Sequence, residues 1–346
     1  MSMSERRGIC RREFLTILGT GSCAMAFNAF SQASSADAKG TYPREKITWI
    51  VGHQPGGGND MLARGVAPFM QKYLKEASGQ PDRVGIVIKN IVGGGQMRAM
   101  NALYRAKADG YTIGIGGDEL HTNAILGGLD FDPFKLTYLA RLASSSKVLL
   151  TSSKSNLNSW DDVVKASKKA PLKISIGNYG TSNHIGVLLF VEATGLAAKP
   201  VFFGGTAGSN SALIRGDVQL GFNSEDAVKT LIEAKELRPL LTFSENTRFS
   251  GVASIKDIGY PELAEPIKSQ RYVIAPPGLP TELKNILENA LKKTVEDKDF
   301  LSWNEKANLN MAPVFDPDID RLVKNIHGFY KSKEKFLTEE LSQKKM

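Results

Sequence analysis

Three features of the sequence predict an α/β fold with mostly parallel sheets. From Thr41 onward, short apolar runs alternate with longer helical patterns. Glycine-rich or polar loops stand between a run and the helix that follows it. No stretch repeats at a solenoid period, and no low-complexity segment interrupts the body.

The strand candidates, in order, are Ile47–Val51, Val84–Ile88, Thr112–Ile115, Lys147–Thr151, Lys173–Ile176, Val201–Phe203, Val218–Phe222, Leu237–Thr242 and Tyr272–Ala275. Each is a short, mostly apolar run. The first helix is predicted over Asp60–Ala77, with Leu62, Val66, Phe69, Met70 and Tyr73 on one side and a kink expected at Pro68. A second is predicted over His184–Ala193 and closed by Gly195 as its C-cap. Others are expected over Asp161–Lys169, Asp226–Glu236, Thr281–Glu296 and Asp318–Lys331.

The N-terminus reads as an export signal. Arg11-Arg12-Glu13-Phe14-Leu15 is a twin-arginine pattern, followed by an uncharged stretch to Ala36 and small-residue cut sites after Ala33, Ala36 or Ala38. Gly, Ser, Asn and Gln dilute the stretch too much for a membrane anchor. Both cysteines, Cys10 and Cys23, lie in this segment, so a mature chain has no disulfide and no cysteine chemistry. Removing residues 1–36 lowers the formal charge from +8 to about +6. Acids and bases are interleaved, which argues for a solvated surface and against a nucleic-acid partner.

Three loops carry the chemistry. Pro55-Gly56-Gly57-Gly58-Asn59-Asp60 follows the first strand, Gly93-Gly94-Gly95 follows Val87-Ile88, and Gly180-Thr181-Ser182-Asn183-His184 follows Ile174–Ile176. A helix starting after such a loop presents unpaired N–H groups and a partial positive charge. Several such starts facing one cleft would hold an anion without lysine or arginine. No phosphate-binding P-loop, complete dinucleotide fingerprint or Gly-x-Ser-x-Gly elbow is present. His53, His121, His184 and His327 have no metal-ligand spacing, and each is expected to be an ordinary hydrogen-bonded or surface histidine. Asp60, in a first helical turn, is expected to stabilise its own helix.

The run from Tyr42-Pro43 through Gly56-Gly57-Gly58-Asn59-Asp60-Met61-Leu62-Ala63-Arg64 resembles the opening of the Bug family, the solute receptors of tripartite tricarboxylate transporters. The likeness continues through Ala108-Asp109-Gly110-Tyr111-Thr112, Phe131-Asp132-Pro133, Arg215-Gly216-Asp217-Val218 and Ala275-Pro276-Pro277-Gly278. It implies a type II periplasmic-binding-protein fold. Two lobes, residues 41–143 plus 271–346 and residues 144–270, would trap a small carboxylate, held mainly by main-chain N–H groups, hydroxyls and waters. By position, the resemblance puts the ligand on Gly56, Gly57, Gly58 and Asn59, on Gly117 and Asp118, on Thr181, Ser182, Asn183 and His184, and on Gly205 and Asn223. It implies no cofactor, no metal and no catalytic residue. It also implies a monomer in the periplasm that delivers its ligand to membrane permease subunits. A receptor for a sensor-kinase ectodomain and a secreted enzyme on the same lobes are the alternatives. The chain departs from the family pattern at Gly52-His53, Gln96-Met97, Gly117-Asp118-Glu119 and Gln270-Arg271. Two extra acids near a carboxylate would repel it unless they pair with a cation, for which Arg271 is available.

Overall fold

The computed structural model describes residues 42–342 except 57, 94–95, 126–127, 245–248 and 308. The export segment, Gly57 and Gly94–Gly95 therefore lie outside the described residues.

The chain begins with β1 (Lys46–Val51), α1 (Gly58–Ala77), β2 (Gly85–Asn90), α2 (Met97–Tyr104), β3 (Thr112–Gly116), α3 (Glu119–Ile125) and β4 (Thr137–Ser145). Next come β5 (Lys147–Ser152), α4 (Trp160–Lys169), β6 (Leu172–Ile176), α5 (Ser182–Thr194), β7 (Ala198–Phe202), α6 (Thr206–Arg215), β8 (Leu220–Ser224), α7 (Glu225–Glu233), β9 (Leu237–Thr242), β10 (Ala253–Ser254) and α8 (Ala264–Ile267). The chain closes with β11 (Ser269–Ala275), α9 (Thr281–Glu296), α10 (Lys298–Ala307), β12 (Met311–Val314), α11 (Asp318–Ser332) and α12 (Glu334–Ser342).

The strands form two six-stranded sheets, ordered β12-β4-β11-β3-β1-β2 and β10-β9-β5-β8-β6-β7. The chain passes from the first sheet to the second between Ser145 and Lys147, and returns before Ser269. Both sheets are mixed. β1 pairs in parallel with β2 and β3, and β6 with β7 and β8, as strand–helix alternation requires. The antiparallel pairings come from strands at or near the crossings: β11 with β3 and β4, β4 with β12, and β5 with β8 and β9.

Three strands, β4, β10 and β12, escape the sequence pattern, the first and last for physical reasons. β4 is almost continuously buried, and Arg141 breaks its apolar run by pairing with Glu265 at 2.6 Å and donating to the carbonyl of Ala312 at 3.0 Å. β12 contains Pro313, which the edge of a sheet tolerates because one strand side needs no ladder donor. The first helix stays helical through Pro68, which is exposed. Gly195 caps α5 in the left-handed conformation at φ 64, as expected.

Each sheet has its own core. Trp49, Leu62, Val66, Met70, Leu287 and Phe300 pack on the first. Phe190, Phe222, Phe243, Ile185 and Leu189 pack on the second, where α5 is continuously buried from His184 to Phe190. The C-terminal helices do not stay with the first sheet, where residues 271–346 are expected. Ile319 and Val323 of α11 join a first-sheet cluster, whereas Ile326 and Tyr330 of α11 and Leu337 of α12 join the core of the second. The helical repeat carries one helix across both cores, a span that sequence distance alone hides.

Candidate ligand-binding site

Both sheets end at a common region. Val51 of β1 pairs beside Ile115 of β3, so the loops after these strands emerge together. β11 runs antiparallel to β3, with Tyr272 opposite Gly116, and this brings Ser269–Arg271 past the same edge. In the second sheet Lys147, the first residue of β5, stands opposite Ser224, the last of β8. Loops at the C-terminal ends of parallel strands are where open α/β sheets receive ligands.

On the first-sheet side, Asp60 organises the glycine loop. Its Oδ2 accepts from the Gly56 N–H at 2.8 Å and from Arg64 Nε at 2.9 Å, and its Oδ1 accepts from Asn90 Nδ2 at 2.8 Å. Burial pushes this carboxyl up, but the three donors outweigh it and bring the pKa down to about 2. The Gly56 amide is thereby consumed, and Asn59 is engaged with His53 across 3.1 Å. A helix start such as that of α1 offers first-turn N–H groups to a ligand. Gly58 opens that helix, and a Cβ there would stand 3.0 Å from Arg271 Nη2, so the guanidinium lies against the helix start.

On the second-sheet side, the organiser is Lys147, which is fully buried. Its ammonium donates to Ser269 Oγ at 2.6 Å, Asn183 Oδ1 at 2.7 Å, Ser224 Oγ at 3.0 Å and Ser182 Oγ at 3.3 Å. The polarity runs onward: Asn183 Nδ2 donates to Asn223 Oδ1 at 3.0 Å, and Asn223 Nδ2 to Asn210 Oδ1 at 2.8 Å. Burial lowers the Lys147 pKa, while Asp118, Asp226 and Glu119 counter it. An ammonium bonded to the first turn of α5 adds to the positive end of that helix.

Three consecutive residues of β11 join the two sides. Ser269 accepts from Lys147, the Gln270 N–H donates to Asp118 Oδ1 at 2.6 Å, and Arg271 Nη2 donates to Asp226 Oδ2 at 3.2 Å. Asp226 is also held by Ser145 Oγ at 2.8 Å. Gly117 is needed where it stands, because a Cβ would meet the Gln270 carbonyl at 3.0 Å. Burial, then Glu119, raises the Asp118 pKa well above the usual carboxylate range, against the pull of Lys147, the Gln270 amide and Arg271. Of the two acids singled out in the Gly117-Asp118-Glu119 loop, Asp118 is thus tied to a main-chain amide, and Arg271 pairs instead with Asp226.

Ser182, Asn183 and Asn223 are therefore in one network, and Asp118 and Gly58 stand against neighbouring residues of β11. Others point elsewhere. Thr181 donates to the Asn178 carbonyl at 2.9 Å. His184 is buried and accepts from the Gly180 N–H at 3.1 Å, with Tyr179 and Phe202 around its ring. With Phe336 and others these residues line a separate cavity of about 530 Å³. The Gly205 N–H donates to the Gly177 carbonyl at 2.9 Å. His121 departs from expectation, being fully buried with no hydrogen-bond partner on either ring nitrogen among the described residues. Burial, with His327 nearby, lowers its pKa to about 3.

Sequence reasoning missed Lys147, Ser224, Ser269 and Asp226. A lysine at the start of an apolar strand looks like a strand terminus reaching solvent. Its burial depends on oxygens supplied by α5, β8 and β11, all distant in sequence.

Two sheets joined by crossing strands, with helix starts and loops meeting at their common edge, define a periplasmic solute-binding fold. A TctC solute-binding protein from Polaromonas, solved without ligand, superposes with a TM-score of 0.73 at 22% identity, covering 84% of this chain and 98% of that one. The R. palustris protein Rpa4515, solved with adipate, superposes with a TM-score of 0.68 at 24% identity over 85% of this chain and 97% of its own. In sequence, the Bordetella pertussis protein BugT is 27% identical over 267 residues, 75% of this chain and 78% of BugT. The chain belongs to the tripartite tricarboxylate transporter receptor family, TctC, whose sequence model matches residues 64–338. Among the described residues no helix is long and apolar enough to cross a membrane.

Proposed function

We propose that the mature chain is a periplasmic receptor that captures a small carboxylate at the common edge of its sheets and passes it to the permease of a tripartite transporter. The observation that carries this reading is the convergence of positive ends. Lys147 is bonded to Ser182 and Asn183 at the start of α5 and to Ser269 of β11, and Arg271, two residues further along that strand, lies against the start of α1. Family membership and the adipate bound by Rpa4515 support the same class of ligand.

The two lobes divide where the chain changes sheets, near Ser146 and Lys268. A carboxylate docks on the first-turn amides of α1, and the second sheet's loop with Ser182 and Asn183 then closes on it. Closure follows only so far as the ligand prefers the closed arrangement. Charge-assisted N–H···O⁻ bonds, about twice as strong as neutral ones, supply that preference. Residues 1–36 act as a twin-arginine export signal and are removed. The protein acts as a monomer and turns nothing over.

Calorimetry of the mature protein against mono-, di- and tricarboxylates and neutral sugars tests the reading. At least one acid binds, and sugars do not. Tight binding of a sugar with no response to any acid refutes it.

A further inference from the structure

We infer that the chain carries a second ligand site, a cavity beside α11 that takes an aromatic carboxylate, with the ring over Phe134 and Gly328 and the carboxylate on Lys324. This site shares no residue with the candidate ligand-binding site and does not depend on the receptor reading.

The cavity, of about 670 Å³, lies between the start of β4, α9 and α11. That volume is in the range of small-molecule pockets. Thr137, on its wall, pairs with Ala275, whereas Ser145 at the other end of β4 pairs with Ser269 beside the candidate site. The 9 residues of β4 therefore set the two sites roughly 25 Å apart.

The wall suits a flat apolar body. Phe134, Leu136 and Val323 line it, and the His327 ring stands edge-on to Phe134, with centroids 4.3 Å apart at 85°. Gly328 lines it too, in the interior of α11. A glycine there weakens the helix relative to alanine. Packing does not require it: a Cβ at Gly328 would meet nothing within 4 Å, whereas at Gly65 of α1 Trp303 lies where the Cβ would stand. The glycine keeps space open rather than letting a neighbour approach. The wall also holds polar atoms that the fold leaves unsatisfied. Tyr138 is 4% exposed, and neither its hydroxyl nor His327 Nδ1 has a hydrogen-bond partner among the described residues. Such atoms mark a place where a ligand or a water supplies the partner.

The charges set the ligand's sign and direction. Of the three lysines on the wall, Lys284 pairs with Asp316 and Lys331 with Glu334. Lys324 has no ion-pair partner among the described residues. Asp320, one turn earlier on α11, is the carboxylate of the wall, and it lies toward Tyr138, whose pKa is raised by burial and then by Asp132 and Asp320. Burial lowers the pKa of His327 and favours its neutral ring. The acid thus sits at one end of the groove, and Lys324 and Lys331 leave the other end basic. An anion with an apolar ring matches that polarity.

The test follows the His327 ring by NMR in the mature protein, its signal assigned with His327→Gln, during titration with naphthoate or with naphthamide. Naphthoate is expected to shift the signal saturably, and naphthamide to bind about 10-fold more weakly. Gly328→Leu puts a side chain into the space and should abolish the shift without lowering the unfolding midpoint. Lys324→Gln should weaken naphthoate about 5-fold and leave naphthamide unchanged, as loss of a partly exposed charge contact does. A His327 signal that does not move, a shift that survives Gly328→Leu, or equal binding of acid and amide overturns the inference. So does unchanged naphthoate affinity in Lys324→Gln, which decides even if Gly328→Leu does not fold. None of these outcomes bears on the carboxylate reading of the other site.

Discussion

The two sides of the site are built on opposite charges. On the first-sheet side a buried carboxylate, Asp60, gathers three donors and fixes a glycine loop. On the second-sheet side a buried ammonium, Lys147, gathers four neutral oxygens and fixes the start of α5. Asp60 spends N–H groups, so fewer remain for a ligand on its loop. Lys147 spends only acceptors, the side chains of Ser182 and Asn183 among them, and adds a charge to its helix start. The difference teaches that a staple's sign decides what its loop still offers.

Lys147→Met tests the larger half of this contrast. Four polar side chains lose their common donor, and the field of Asp118, Asp226 and Glu119 loses its balance. A loss of about 3 kcal/mol in urea unfolding is expected. A loss below about 1 kcal/mol would mean that the hydroxyls and amides re-pair without the ammonium.

His121 shows what happens without a staple. His121→Phe removes two unpaired buried nitrogens beside Tyr272 and Tyr330 and should stabilise the fold by about 1 kcal/mol. The same residue sets a pH dependence. Its folded pKa is about 3, so between roughly pH 6.5 and 3 the unfolded chain binds a proton that the native chain does not. Stability therefore falls on acidification through that window in wild type, and falls less in His121→Phe. Parallel pH profiles for the two proteins would remove His121 from this role.

Asp60→Asn sharpens the first-sheet half. It replaces one acceptor oxygen by a donor among three donors, and about 1 kcal/mol of stability should go. Because the folded pKa is lowered to about 2, the stabilisation in wild type is full above roughly pH 4 and disappears as pH falls through 2. A variant as stable as wild type at pH 7 would show that the loop holds itself. Ser182→Ala carries the smallest effect, under about 0.5 kcal/mol, since the 3.3 Å contact is the longest of the four around Lys147. A larger loss would make Ser182 a main support of the network.

This contrast also explains what the sequence reveals. The Gly-rich loop and Asp60 are contiguous and both stand out in the sequence, but the spacing assigns Asp60 only to its own helix, not to the Gly56 amide or to Asn90. Ser182 and Asn183 read from the start of a helix. The network that gives them meaning does not, because Lys147, Ser224 and Ser269 meet only after two sheets form and the chain crosses twice. An expectation of amides without cations follows from local motifs and misses Lys147 and the placement of Arg271. His184 shows a related limit: it stands beside the predicted loop, and which way its ring faces, here toward Tyr179 and Phe202, depends on helix rotation.

A crystal structure of the mature protein with the tightest-binding acid examines the site most directly. The acid should lie at the start of α1, with one carboxylate oxygen on the amides of Gly58 or Asn59. A ligand held instead in the cavity lined by Tyr179, His184 and Phe202 would contradict this assignment.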